Sequence, residues 1–279
     1  MQKIIQNQTF DEERALYGSR GIHIIGCKFD GEADGESAFK ESCDIVAERS
    51  IFNLRYPFWH DTGLLISECE MSGTCRAPLW YTTDAEIKKT RMHGPKALRE
   101  CADVRISQCD INSAEFGWFC SGVSVNDSSA SGEYFMLRSE GLCFSSFRLA
   151  GKYSFQYVKD ARFDNCVLDT KDAFWHAKDV TVKNSVVNGE YLGWYSENLT
   201  LENCVISGTQ PFCYCKNLTL INCEMHDADL AFEKSSVSAE ITTHVISIKN
   251  ASSGKITVKS VGEIIKDSPE SLCEIVTLS

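Results

Sequence analysis

One short pattern recurs through the middle of the chain every 19 residues: Val104-x-Ile106-x-x-Cys109-x-Ile111 returns as Val123-x-Val125-x-x-Ser128-x-Ala130 and again from Leu142, Ala161, Val180, Leu199 and Leu218. Ala85-x-Ile87-x-x-Thr90-x-Met92 precedes it in the same register. Self-similarity at a fixed period near 20 marks a solenoid, a fold in which each repeat buries its apolar face only against its neighbours.

Within each repeat the first residues alternate apolar and polar, the period of a strand with one buried face. Thr181, Lys183, Thr200, Glu202 and Thr219 then point to solvent. The skip to the Cys or small residue is a bend. Asp84, Asp103, Gly122, Gly141, Asp160, Asp179, Asn198 and Asn217 stand just before the strands, and these types tolerate the left-handed conformation of a sharp corner. Gly94, Gly132, Gly151, Gly189 and Gly208 mark a second corner. A 19-residue unit with several corners is too short for a pair of helices, so each repeat reads as one coil of a parallel β-helix. Equivalent residues then stack about 4.8 Å apart. Asn165, Asn184, Asn203 and Asn222 form one such column and can hydrogen-bond along it. Cys27, Cys69, Cys109, Cys166, Cys204 and Cys223 form another, shared with Ser and Thr, which makes them reduced packing residues of a narrow interior.

A repeat that covers most of 279 residues predicts one all-β domain: an N-terminal cap over 1–20, coils over 21–234, and further coils or a closing hairpin over 235–279. The form Thr9-Phe10-Asp11-Glu12 is that of a capping box, so the cap is expected to be a short helix. Spacing is irregular at first, 23 residues from Cys27 to Ser50 and 21 from Cys69 to Thr90, and the surplus must leave the core as loops. The first loop, Asp30-Gly31-Glu32-Ala33-Asp34-Gly35-Glu36, lacks the spacing of a calcium-binding loop and reads as solvated. Cys213-x-Cys215 has no second pair at zinc-binding distance, so neither metal nor cofactor is expected. A net charge of -11 disfavours nucleic acid and anionic membranes as partners. With no apolar run of 18 residues and no charged-then-apolar leader, the expected location is the cytoplasm.

The segment Glu13-Arg14-Ala15-Leu16-Tyr17-Gly18-Ser19-Arg20-Gly21-Ile22, continuing through Cys27-Lys28-Phe29-Asp30-Gly31-Glu32-Ala33-Asp34-Gly35-Glu36-Ser37, resembles the opening of an uncharacterised bacterial family of pectin-lyase-like proteins. The Trp175-His176 and Asn203-Cys204 stretches agree with it. The resemblance implies a single-stranded right-handed β-helix and no particular activity. None of the motifs of the polysaccharide lyases and hydrolases in the wider group can be placed on these residues.

A second strand in each coil carries the triplets Phe58-Trp59-His60, Gly117-Trp118-Phe119, Phe155-Gln156-Tyr157, Phe174-Trp175-His176, Gly193-Trp194-Tyr195 and Phe212-Cys213-Tyr214. With the flanking residues inside, Trp59, Trp118, Trp175 and Trp194 make one outward column, while His60, Glu100, Arg138, Tyr157, His176 and Tyr195 lie in the next. The competing arrangement turns the Trp column inward as core. An exposed aromatic ridge suits a saccharide, whose acid–base chemistry would fall to His60, Glu100, Arg138 and His176. It equally suits a non-catalytic protein whose ridge is covered by a second copy, as in a homo-oligomer, or by another protein.

Overall fold

The alternating segments form six-residue strands, each paired in parallel with its equivalent in the next coil. Ala85 and Ile87 of Thr83–Lys88 face Val104 and Ile106 of Ala102–Ser107, and Val180 and Val182 of Lys178–Lys183 face Leu199 and Leu201 of Glu197–Glu202. All eight side chains are buried while the residues between them are partly or fully exposed, as a period of two requires. The computed structural model describes residues 3–31 and 35–278, in two units, Met1–Cys143 and Phe144–Ser279. Each unit is a parallel β-solenoid, and among the described residues there is no helix.

The expected N-terminal helix is therefore absent. Thr9–Phe10 is instead a short strand paired with Lys28–Phe29, and Lys3–Gln6 pairs in parallel with Ile22–Ile25. Burial explains the outcome: Ile5 joins the core and the Phe10 ring stacks on Phe29 at 5.1 Å. A local capping signal worth about 1 kcal/mol loses to this apolar stacking. At the other end, Ser236–Lys249 and Ser253–Ile265 pair in parallel, so the chain coils there and makes no hairpin.

Corners consist largely of residues in the left-handed region. Asp84, Asp103, Asp160, Asp179, Asn198 and Asn217 all have φ between 46° and 55°. Such a conformation costs a residue with a Cβ on the order of 1 kcal/mol, and side-chain bonds between coils offset it. The Asn217 amide donates to Asn198 (2.8 Å), Asn203 to Asn184 (3.3 Å) and Asn222 to Asn203 (2.9 Å). At the second corner Gly208 has φ 127°, and a Cβ there would lie 2.0 Å from the Gly189 carbonyl, so glycine is obligatory.

Both surplus segments fall at one place on the coil, the corner that follows the second strand. Ten residues separate Phe29 from Phe39 and eight separate Met71 from Leu79, where six suffice from Phe52 to Phe58. Of the acidic loop, Glu32 to Asp34 lie outside the described residues, while Glu36 pairs with Arg55 at 3.3 Å.

All six cysteines of the predicted column are buried and unbridged. Each bonds the backbone: Cys109 donates to the Ser107 carbonyl (3.2 Å), and its N–H reaches Ser128 Oγ (3.0 Å) in the next coil. Burial pushes the Cys69 thiol up to about 11, which suppresses the reactive thiolate. A thiol titration of the native protein should accordingly register Cys143, which is exposed, and Cys43, which is half-buried. The remaining thiols should react only in denaturant, and disulfides between Cys109, Cys166, Cys204 or Cys223 and adjacent coils would refute this packing.

Candidate functional site

The third side of each coil, a short strand at Phe58–Trp59, Leu79–Trp80 and Leu98–Arg99 and a turn in the second unit, begins with an inward residue, Phe58, Leu79, Leu98, Phe174 or Phe212, each exposed by 1% or less. Two consecutive residues then face outward, except in the last triplet, where Cys213 is buried, because the second adopts a left-handed turn: φ is 58° at His60, 57° at Tyr81, 58° at Tyr157, 54° at His176, 59° at Tyr195 and 62° at Tyr214. The predicted triplets thus place Trp59, Trp118, Trp175 and Trp194 outside the core, half-buried, with their neighbours more exposed.

The Trp column lies flat and latches the coils. Each indole N–H donates to a corner carbonyl of the following coil: Trp59 to Ala77 (2.8 Å), Trp118 to Tyr134 (2.8 Å), Trp175 to Tyr191 (2.6 Å) and Trp194 to Gln210 (2.8 Å). Gln156 does the same through its amide, reaching the Asp172 carbonyl at 3.0 Å. These N–H groups are therefore committed to the fold.

In the first unit the sequence reading missed three members of this surface, Trp80, Tyr81 and Arg99. Leu79-Trp80-Tyr81 stands 21 residues after Phe58-Trp59-His60, displaced by the two extra corner residues, and allowance for that loop would have found it. Trp59 stacks on Trp80 (5.2 Å, 4°), and the Arg99 guanidinium lies over both Trp80 (5.0 Å) and Trp118 (5.2 Å), a cation sandwiched between indole faces. His60 stacks on Tyr81 at 4.7 Å. Glu100 lies 3.7 Å from Arg99, and a groove lined by Glu100, Cys101, Ala102, Phe119 and Ser121 runs beside it.

The second unit carries the longer ladder. Tyr157, His176, Tyr195 and Tyr214 stack in succession at 4.7, 5.0 and 4.8 Å with ring planes within 10°, and Trp175 stacks on Trp194 at 5.4 Å beside them. Ring faces are thus spent on one another, and solvent meets ring edges. Tyr157 and Tyr195 are 41% and 46% exposed. Burial, with the Glu233 carboxylate nearby, raises the Tyr214 phenol above its ordinary range and keeps it a donor.

The four acid–base candidates do not converge. In the first unit Tyr81 stands between His60 and Glu100, and Phe119 between Glu100 and Arg138, so each pair is two rungs, about 10 Å, apart. His176 belongs to the second unit, enclosed by Tyr157 and Tyr195. Among the described residues no three His, Cys, Asp or Glu side chains form a metal-binding group.

A family model described as a protein of unknown function, DUF3737, matches residues 3–276. The chain belongs to this family. Membership fits the resemblance carried by Glu13 to Ser37 and brings no assigned activity. No curated protein matches the sequence. Among solved structures, the tailspike of Pseudomonas phage phi297 is similar at 12% identity and TM-score 0.47, over 81% of this chain and 48% of its own; this chain spans about half its length. The A-module of a mannuronan C-5 epimerase from Azotobacter vinelandii matches at 10% and 0.31, over 98% and 89%. The catalytic domain of an α-1,3-glucanase in complex with tetrasaccharides matches at 9% and 0.27, over 99% and 64%. Likeness this distant carries no argument about activity.

Proposed function

We propose that the protein binds carbohydrate, holding an extended glycan chain along the ladder of the second unit. The observation that supports this is the row Tyr157, His176, Tyr195 and Tyr214, one polar ring edge per coil at intervals of 4.7 to 5.0 Å. A linear glycan presents hydroxyl groups at a comparable interval. Phenol and imidazole can each donate or accept, so the row tolerates hydroxyls of either sense. Recognition is edge-on, by hydrogen bonding, since the ring faces cover one another. Trp175 and Trp194 hold the row rigid, which lowers the ordering cost of binding.

Tyr195→Phe tests this reading because it keeps the ring stack and removes one hydroxyl. The expected result on a glycan array is a loss of about 5- to 10-fold in affinity for the glycans that bind, the value of one hydrogen bond, with an unchanged melting temperature. Should no glycan bind the native protein, while Tyr195→Ala shifts light scattering from oligomer to monomer, the ladder is a subunit interface, the competing use of exposed aromatic edges.

A further inference from the structure

Immediately after the outward pair, each coil sends one small side chain inward. In the first unit this column reads Ser42, Asp61, Thr82, Cys101, Cys120 and Ser139, and Asp61 is its one carboxylate. Other members play a double part. Ser139 Oγ accepts the Cys120 N–H (2.9 Å) and donates to the Gly117 carbonyl (2.6 Å). Ser42 Oγ accepts the Ser19 N–H (3.0 Å) and donates to the Leu16 carbonyl (3.3 Å). Thr82 donates to Phe58 (3.1 Å), and the Cys101 thiol to Leu79 (3.4 Å). Ser42 and Ser139 thus show both roles of the slot, acceptor for an N–H of the preceding coil and donor to one of its carbonyls, and Thr82 and Cys101 show the second.

Asp61 is 1% exposed. Its Oδ1 accepts the Ser42 N–H at 2.9 Å, as the slot requires, but its Oδ2 meets no partner. A carboxylate has no proton to donate, whereas a carboxylic acid has one. We propose that Asp61 is held as the neutral acid, its Oδ2–H serving the donor role of the hydroxyls and thiols above and below it, and that its ionisation unlatches the corner carrying His60 and Tyr81. The acceptor is the Phe39 carbonyl, which stands to Asp61 as Phe58 stands to Thr82.

Charge around the site favours the acid. Ser42 below and Thr82 above are neutral, and the chain neighbours His60 and Thr62 point to solvent. The charged group facing Asp61 is Glu41 on the preceding coil, of like sign. Burial foremost, opposed by the Ser42 and Glu41 N–H groups and reinforced by the Glu41 carboxylate, pushes the Asp61 carboxyl up to about 8. The folded state then keeps a proton that the unfolded chain releases near pH 4. Stability contributed at low pH is accordingly lost as pH rises from about 4 to about 8, and changes no further above it.

Denaturant unfolding between pH 5 and 9, followed on the native protein, Asp61→Asn and Asp61→Ser, tests this. The unfolding constant of the native protein should rise by up to about tenfold per pH unit toward pH 8. Asp61→Asn, which keeps an acceptor and a permanent donor, should lose one proton's worth of that slope. Asp61→Ser restores the column's usual side chain and should be more stable than the native protein at pH 8, so one variant remains informative if the other fails to fold. A carbon-13 titration of the Asp61 carboxyl should show it protonated at pH 6. An ionised carboxylate at pH 6, or parallel pH profiles in all three proteins, would overturn the proposal.

Discussion

A single residue inserted between Val180 and Ser185 should destabilise the second unit by on the order of 5 kcal/mol, while the same insertion between Leu168 and Ala173 should cost about 1 kcal/mol. The first insertion reverses the alternation. It turns Val182, now fully buried between Phe163 and Leu201, to solvent at about 1.5 to 3 kcal/mol, and it drives Lys183 toward the interior, where an unpaired charge costs several kcal/mol more. The second insertion enters the corner at which the first unit already accommodates extra residues before Phe39 and Leu79, and lengthening a loop is inexpensive. Because Val167–Lys171 is a paired strand, the tolerant point lies at its end, beside Asp172. Thermal unfolding of the two variants checks the register, and equal losses would contradict it.

Alanine at three kinds of position on the third side of the coil should give a graded series, with Phe174→Ala the most damaging at about 3 to 5 kcal/mol. Phe174 is 1% exposed and packs on Phe155 (5.4 Å, 15°) and edge-on to Phe163 (5.4 Å), so truncation leaves a cavity between coils that cannot close. Trp175→Ala should cost about 2 kcal/mol, for the lost stack on Trp194 and the lost bond to the Tyr191 carbonyl. Tyr195→Ala should cost under about 1 kcal/mol, since the ring is largely outside. The middle value separates this arrangement from both simpler ones: a purely external Trp175 would leave stability unchanged, and a core Trp175 would match Phe174. Melting temperatures of the three variants decide.

Repeat period, strand alternation and the buried Cys column were legible because each is a pattern along the chain that the coil converts directly into a column in space. The Asp and Asn corners were legible for the same reason, since their left-handed turns recur with the period. What the sequence hid was of two kinds. Thr9 to Glu12 carried a local helix signal whose defeat depended on Phe29, a coil away. The outward pair Trp80-Tyr81 was masked by the two-residue loop that displaced it, and Arg99 has no aromatic signature at all, although it completes the stack from Trp59 to Trp118. Ring orientation was equally invisible: alternation shows which residues face out, and only the coil spacing shows that their faces are taken up by one another. Asp61 carries no pattern in the sequence that sets it apart from other polar residues; its burial does.

The direction of the indole bonds sets an order of assembly. Trp59, Trp80, Trp118, Trp175 and Trp194 each donate forward, to a carbonyl 16 to 18 residues later. As the chain leaves the ribosome, the newest coil has therefore no carbonyl to engage its indole, and the rung is closed only when the next corner emerges. Growth is then a zipper that runs from the amino end with one open tooth, and a truncation ahead of the corner that follows any of these five tryptophans leaves its indole unsatisfied.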